Sequence, residues 1–153
     1  MQRSDLVERL LWSIALPGFG QLLNRRFLKG LLLIVLEFLI NVRAKLNLVI
    51  VFSFQGDMTK AVEATDYQWL MFYPCLYLFA IWDAYKDAGG GEGVKFATVP
   101  FVFSAYIGTI GVIYSSTFRI GGELLGPVFL PIVALIAGAL VGAAVKRVLA
   151  ALT

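Results

Sequence analysis

The sequence predicts an all-α integral membrane protein: a bundle of about four transmembrane helices preceded by a short N-terminal interfacial or re-entrant segment. Three observations predict it. The 153-residue chain is 59% hydrophobic and only 15% charged, against about 45–50% and about 25% in a soluble domain. A domain of this size has too much surface to hide that surplus in a core. Four apolar stretches, residues 30–54, 67–82, 96–116 and 124–145, approach or reach the roughly 20 residues that cross a bilayer. The basic residues between them also fall unevenly. One side of such a bundle holds Arg3, Arg9, Arg25, Arg26, Lys29, Lys86, Lys95, Lys146 and Arg147, the other only Lys60 and Arg119. The positive-inside rule then places the richer side, with both termini, in the cytoplasm.

Taken in order, the first apolar segment is residues 10–23. It spans roughly 21 Å as a helix, too short for a straight crossing, and Pro17, Gly18 and Gly20 interrupt it. An interfacial helix or a shallow re-entrant hairpin fits. Arg3 and Arg9 are balanced by Asp5 and Glu8, and no small-residue cleavage site follows, so the segment is expected to stay in the mature protein. The crossing at 30–54 contains Arg43 and Lys45, which are costly in lipid. Either it is long, tilted or broken, or it ends near Val42 with residues 46–54 at the outer interface. Residues 55–66 read as an outward loop. The crossing at 67–82 is marginal in length, and Tyr67, Trp69, Trp82 and Tyr85 mark its ends as interfacial aromatics. The run from Ala88 to Gly93 is a flexible connector, and Gly121, Gly122, Gly126 and Pro127 bracket the last outer loop. The chain reads as a single domain, 1–153, without repeats.

Composition narrows the chemistry. Histidine is absent, which removes the commonest general base and metal ligand. The lone Cys75 makes neither an intrachain disulfide nor a zinc site and reads as a small core residue. The glycine run lacks the ending of a phosphate-binding loop, and no G-x-S-x-G motif is present. The net charge of +3 is small, with no basic patch of the kind that binds nucleic acid. Neither a catalytic residue, a metal site nor a cofactor is expected.

Three groups of residues stand out. Glu37, Asn41 and Lys45 are four apart and share a helix face; a carboxylate within a membrane helix either serves an ion or proton path or ties helices together. Ser104, Gly108 and Gly111, with Ala134, Gly138 and Gly142, form small-residue stripes that admit close helix approach, within the bundle or between copies. Asp83 and Asp87, beside Lys86, can pair with Arg25, Arg26 or Lys29 or hold a cation. That basic cluster also suits anionic lipid headgroups.

Leu16, Pro17, Gly18, Phe19, Gly20 and Gln21, then Asn24, then Lys29 and Gly30 before an apolar run, form a recognisable element. It resembles the PGxGQ…N…KG element of small bacterial membrane proteins, similar to TM2-domain proteins and their relatives. Trp82, Asp83, Ala84 and Tyr85 resemble the Trp-Asp closure of the following helix in those families. The likeness covers roughly residues 10–88. Leu23 stands where an aromatic residue is usual, and the 55–66 loop is long. The resemblance implies a membrane hairpin in a bacterial cytoplasmic membrane and no reaction.

The function expected from these observations is non-enzymatic: an accessory, assembly or interaction subunit of a membrane complex, with the lipid bilayer and other membrane subunits, or further copies of itself, as partners. The alternative is a small transporter or channel subunit using Glu37, Asn41 and Lys45.

Overall fold

A computed structural model of the chain describes residues 3–153. They are helical apart from turns and one two-residue strand pair. α1 (Arg3–Ala15) and α2 (Phe19–Leu23) meet at Pro17 and Gly18. Pro17 lacks an N–H to continue the helix, and Gly18 takes φ 104°, a left-handed conformation open chiefly to glycine. The segment at 10–23 is thus two helices, the first of which begins well ahead of the apolar stretch.

The crossing expected at 30–54 is not one helix. α3 (Phe27–Ala44) and α4 (Leu46–Phe54) are separated by Lys45, itself left-handed at φ 56°. The Lys45 N–H still bonds back to the carbonyls of Asn41 and Val42, closing α3 with a left-handed cap. Arg43 leaves the apolar interior by lying over the Trp69 ring, 5.5 Å from its centre, a cation–π contact.

The loop expected at 55–66 contains α5 (Met58–Ala64), whose N-terminus is capped by the Asp57 carboxylate accepting from the Lys60 N–H. Ala61 is fully buried against Val49 of α4 and Val128. Residues 67–82 likewise divide, into α6 (Tyr67–Leu70) and α7 (Tyr73–Asp87), with Pro74 in the first turn of α7. α8 (Val99–Tyr114) is followed by a hairpin of β1 (Arg119–Ile120) and β2 (Glu123–Leu124), turned by Gly121 and Gly122, both at positive φ. That pattern is the glycine-rich two-residue hairpin turn. α9 (Gly126–Leu152) runs past the expected end at 145.

Among the described helices, α9 is the one both long and apolar enough to cross a membrane, at 27 residues. α3 has 18 residues but carries Lys29, Glu37 and Arg43, and α8 is apolar but has 16. The four expected crossings are therefore not four continuous apolar helices.

The contacts define two ends. At one, Lys29 reaches Asp83 and Asp87, and Lys95 Nζ donates to the Thr153 carbonyl at 3.2 Å. At the other, Arg43 meets Trp69, the Ser115 hydroxyl lies 3.5 Å from that of Tyr67, and Gly126 adjoins Met58. α3, α7, α8 and α9 run between these ends.

Large apolar side chains are exposed along the helices, and the interior holds polar groups beside its apolar clusters. Leu28, Phe38 and Leu140 are 85%, 70% and 68% exposed, while Ser13, Gln21, Glu37, Ser53, Ser104 and Ser115 are buried. Cys75, expected in the core, is exposed, its sulfur 3.8 Å from the Thr109 hydroxyl in an apolar groove between α7 and α8.

Candidate functional site

The polar groups concentrate where α2 and the start of α3 dock on the C-terminal half of α7. Small residues make the docking close. A Cβ on Gly20 would overlap the Ser13 hydroxyl and stand 2.8 Å from the Ala84 Cβ, and Ala80 and Ala84 are fully buried. With no bulky side chain in the way, amide side chains reach the α7 backbone itself. Gln21, fully buried, donates from Nε2 to the Ala80 carbonyl at 2.8 Å and to Asp83 Oδ2 at 3.1 Å. Asn24 donates to the Ala84 carbonyl at 2.8 Å. Tyr77 works in the other direction, donating its hydroxyl to the Ile14 carbonyl at 2.7 Å near the end of α1, where Pro17 has ended the helix.

Charges close the same junction. Lys29 Nζ donates to Asp83 at 2.7 Å and to Asp87 at 3.2 Å, and Arg26 Nε lies 3.3 Å from Asp87. Among the described residues neither Arg25 nor Lys86 forms an ion pair with these aspartates; Arg25 is exposed at φ 60° in the turn before α3. Gly18 and Gly30 bring α3 alongside: a Cβ on Gly18 would lie 2.5 Å from the Gly30 carbonyl, and one on Gly30 would lie 2.6 Å from Leu22. Pro17, Gly18, Gly20, Gln21, Asn24, Lys29 and Gly30 thus belong to a single junction.

Hydrogen bonding to Asp83, then to Asp87, holds the Lys29 ammonium above its ordinary pKa of 10.5. A group raised in the folded state contributes stability that is present below its unfolded pKa and is lost as pH rises through the folded one. We predict that wild type and Lys29→Arg melt in parallel below about pH 10 and diverge above it, wild type falling faster, because guanidinium does not titrate there. Thermal melts in detergent across that range check this. The Lys29 side chain is half exposed, so the difference is small.

The stripe of Glu37, Asn41 and Lys45 is dispersed. Glu37 is 7% exposed, inside the bundle, with Tyr73 beside its carboxyl and Oε2 without a hydrogen-bond partner. Asn41 is half-buried and donates to Asn47 Oδ1 at 3.3 Å. Lys45 is exposed at the break between α3 and α4. The helix that would have aligned all three ends before Lys45, which leaves Glu37 and Asn41 four apart on α3. Sequence reasoning missed Tyr73 and Tyr77, which pack ring on ring at 5.7 Å; their four-residue spacing in an apolar helix was the available signal.

The small-residue stripes face each other within the chain. Ser104 Oγ donates to the Leu135 carbonyl at 2.8 Å. A Cβ on Gly108 would run into the Leu135 side chain, one on Gly111 would lie 2.5 Å from the Ala134 Cβ, and one on Gly138 would lie 2.7 Å from the Phe103 carbonyl. Gly142 stands as close to Pro100. Compared with models of known protein families, with curated proteins and with solved structures, the chain matches none of them.

Proposed function

We propose that the chain is a multi-pass membrane protein acting as a non-enzymatic assembly or interaction subunit, with α3, α7, α8 and α9 as its crossings. The observation that carries this reading is the surface: large apolar side chains lie outward along α3 and α9, while their inward faces include small and polar residues, Gly30, Glu37, Ala44, Gly138 and Gly142. Exposed apolar area on this scale marks a membrane or partner interface. The end that gathers Arg26, Lys29, Asp83 and Asp87 is also the end rich in basic residues, which favours the cytoplasmic face of a bacterial inner membrane, against anionic headgroups. The PGxGQ-like element serves in this reading as the joint that fixes α1 and α2 to the bundle.

The interaction role rests on what the helices do with their polar groups. Gln21, Asn24, Ser104 and Tyr77 all donate to backbone carbonyls of neighbouring helices, holding a rigid shape. The separation of Lys45 from Glu37 and Asn41 at the end of α3 weighs against the transport reading. Native mass spectrometry after gentle extraction tests the proposal. A stoichiometric complex with another membrane protein is expected; a monomer that conducts ions or solutes alone in pure liposomes would overturn it.

A further inference from the structure

Between the end of α1, α4, α7, α8 and α9 lies a cavity of about 410 Å³. Its floor is apolar and inaccessible: Val112 is 1% exposed and Leu70 3%. Its open side is formed by Ile14 and Ala15 from α1 and by Ile132 and Ile136 from α9, all four exposed. Pro74, Pro127 and Pro131 stiffen its walls. Its polar groups are the tyrosines Tyr73 and Tyr77; the Tyr77 hydroxyl is already engaged with the Ile14 carbonyl, and Tyr73 neighbours the Glu37 carboxyl. A polar ligand entering here would leave most of its own donors and acceptors unmatched, which disfavours its burial. A helix of a partner or of a second copy, about 10–12 Å across with its side chains, is too wide for this space. A single hydrocarbon chain is not.

We infer that this cavity is a lateral binding site for one acyl chain of a membrane lipid, entered between α1 and α9. The site rests on the membrane reading proposed above, because its mouth opens on the surface which that reading places in hydrocarbon. The chain fills a void that would otherwise leave its lining without packing partners, and its headgroup stays outside.

The test is photocrosslinking in bilayers of phosphatidylcholine carrying a diazirine near the end of one acyl chain, with adducts mapped by mass spectrometry. Adducts on Tyr73, Ile50 and Leu135, the half-buried residues over that floor, are expected alongside those on outward residues such as Phe38 and Leu140. The substitution Ile132→Trp, at an exposed position of the mouth, is expected to abolish the floor adducts and keep the outward ones. Val133→Trp, exposed on α9 outside the cavity lining, is expected to keep both. Outward adducts without floor adducts would overturn the site and leave the membrane reading standing. Floor adducts that persist in Ile132→Trp would overturn the entry route and with it the inference. No adducts at all, with the protein left in the aqueous phase, would overturn both readings.

Discussion

Gly18→Ala is expected to abolish the folded state or leave it only marginally stable. Two costs add. The backbone at this position is left-handed at φ 104°, which penalises a residue with a Cβ by about 1–2 kcal/mol. The new methyl would also lie 2.5 Å from the Gly30 carbonyl and 2.7 Å from Ile34. The first of these neighbours is backbone of a packed helix, so relief requires α3 to move off α2, at a cost of about 1–3 kcal/mol for overpacking. Displacing α3 also separates Lys29 from Asp83 and loosens the junction that Gln21 and Asn24 hold. The expected readout is a total loss of about 2–5 kcal/mol, measured by denaturant or thermal unfolding in detergent. Gly56→Ala is the matched control: its φ is 81°, but open space surrounds its Cβ position, so it bears the conformational cost alone and falls less.

Gly142→Leu is expected to break the α8–α9 hairpin without changing the mass of any assembly that survives. A Cβ at this position would stand 2.6 Å from the Pro100 Cα and 2.9 Å from the Phe103 Cβ, and leucine adds three more carbons to the same space. The loss expected is about 1–3 kcal/mol or more. The same substitution separates two uses of the small-residue stripes. If Gly142 faced a second copy, leucine would change the oligomeric mass and leave the monomer folded. If it faces α8, the fold weakens and the mass of what remains is unchanged. The structure favours the second outcome, and size-exclusion chromatography with light scattering beside a melt distinguishes them.

Helix content and punctuation were largely legible in the sequence, because apolar runs and Gly or Pro breaks report directly on local backbone. The turn at Pro17 and Gly18 and the turns at Gly89 and at Gly121 and Gly122 are of that kind. The breaks that escaped lack such residues. Lys45 ends α3 in a left-handed conformation that lysine seldom adopts, so the charges of Arg43 and Lys45 left a break between 42 and 46 open without fixing its place. Met71 and Phe72, between α6 and α7, are ordinary helix formers. α5 hid in a segment too short and too polar to show an apolar period, although Asp57 at its cap was a usable sign. Lys146 and Arg147 read as a stop, yet nothing in Val148, Leu149 or Ala150 breaks a helix, and α9 continues through them.

The site was legible in its parts and in one connection, the pairing of Arg26 and Lys29 with Asp83 and Asp87, but not in the others. The elements around Gln21 and Asp83 lie some sixty residues apart, and neither composition nor periodicity says that a buried amide donates to the carbonyl of Ala80. What joins them is the absence of side chains: Gly20, Ala80 and Ala84 let two helices approach until backbone and amide meet. The stripe of Glu37, Asn41 and Lys45 is kept for its first two members on α3 and lost at the third. Its periodicity was sound, but it presumed a helix that the chain does not continue.

The central claim is that α3, α7, α8 and α9 each cross the membrane, with the Lys29–Asp83 junction on the cytoplasmic side. Labelling of single cysteines by a membrane-impermeant maleimide, in intact cells and in a Cys75→Ser background, tests it most directly. Lys60→Cys and Gly121→Cys are expected to label from outside, and Lys86→Cys and Lys95→Cys only after the membrane is opened. Labelling of all four positions from the same side would contradict the account.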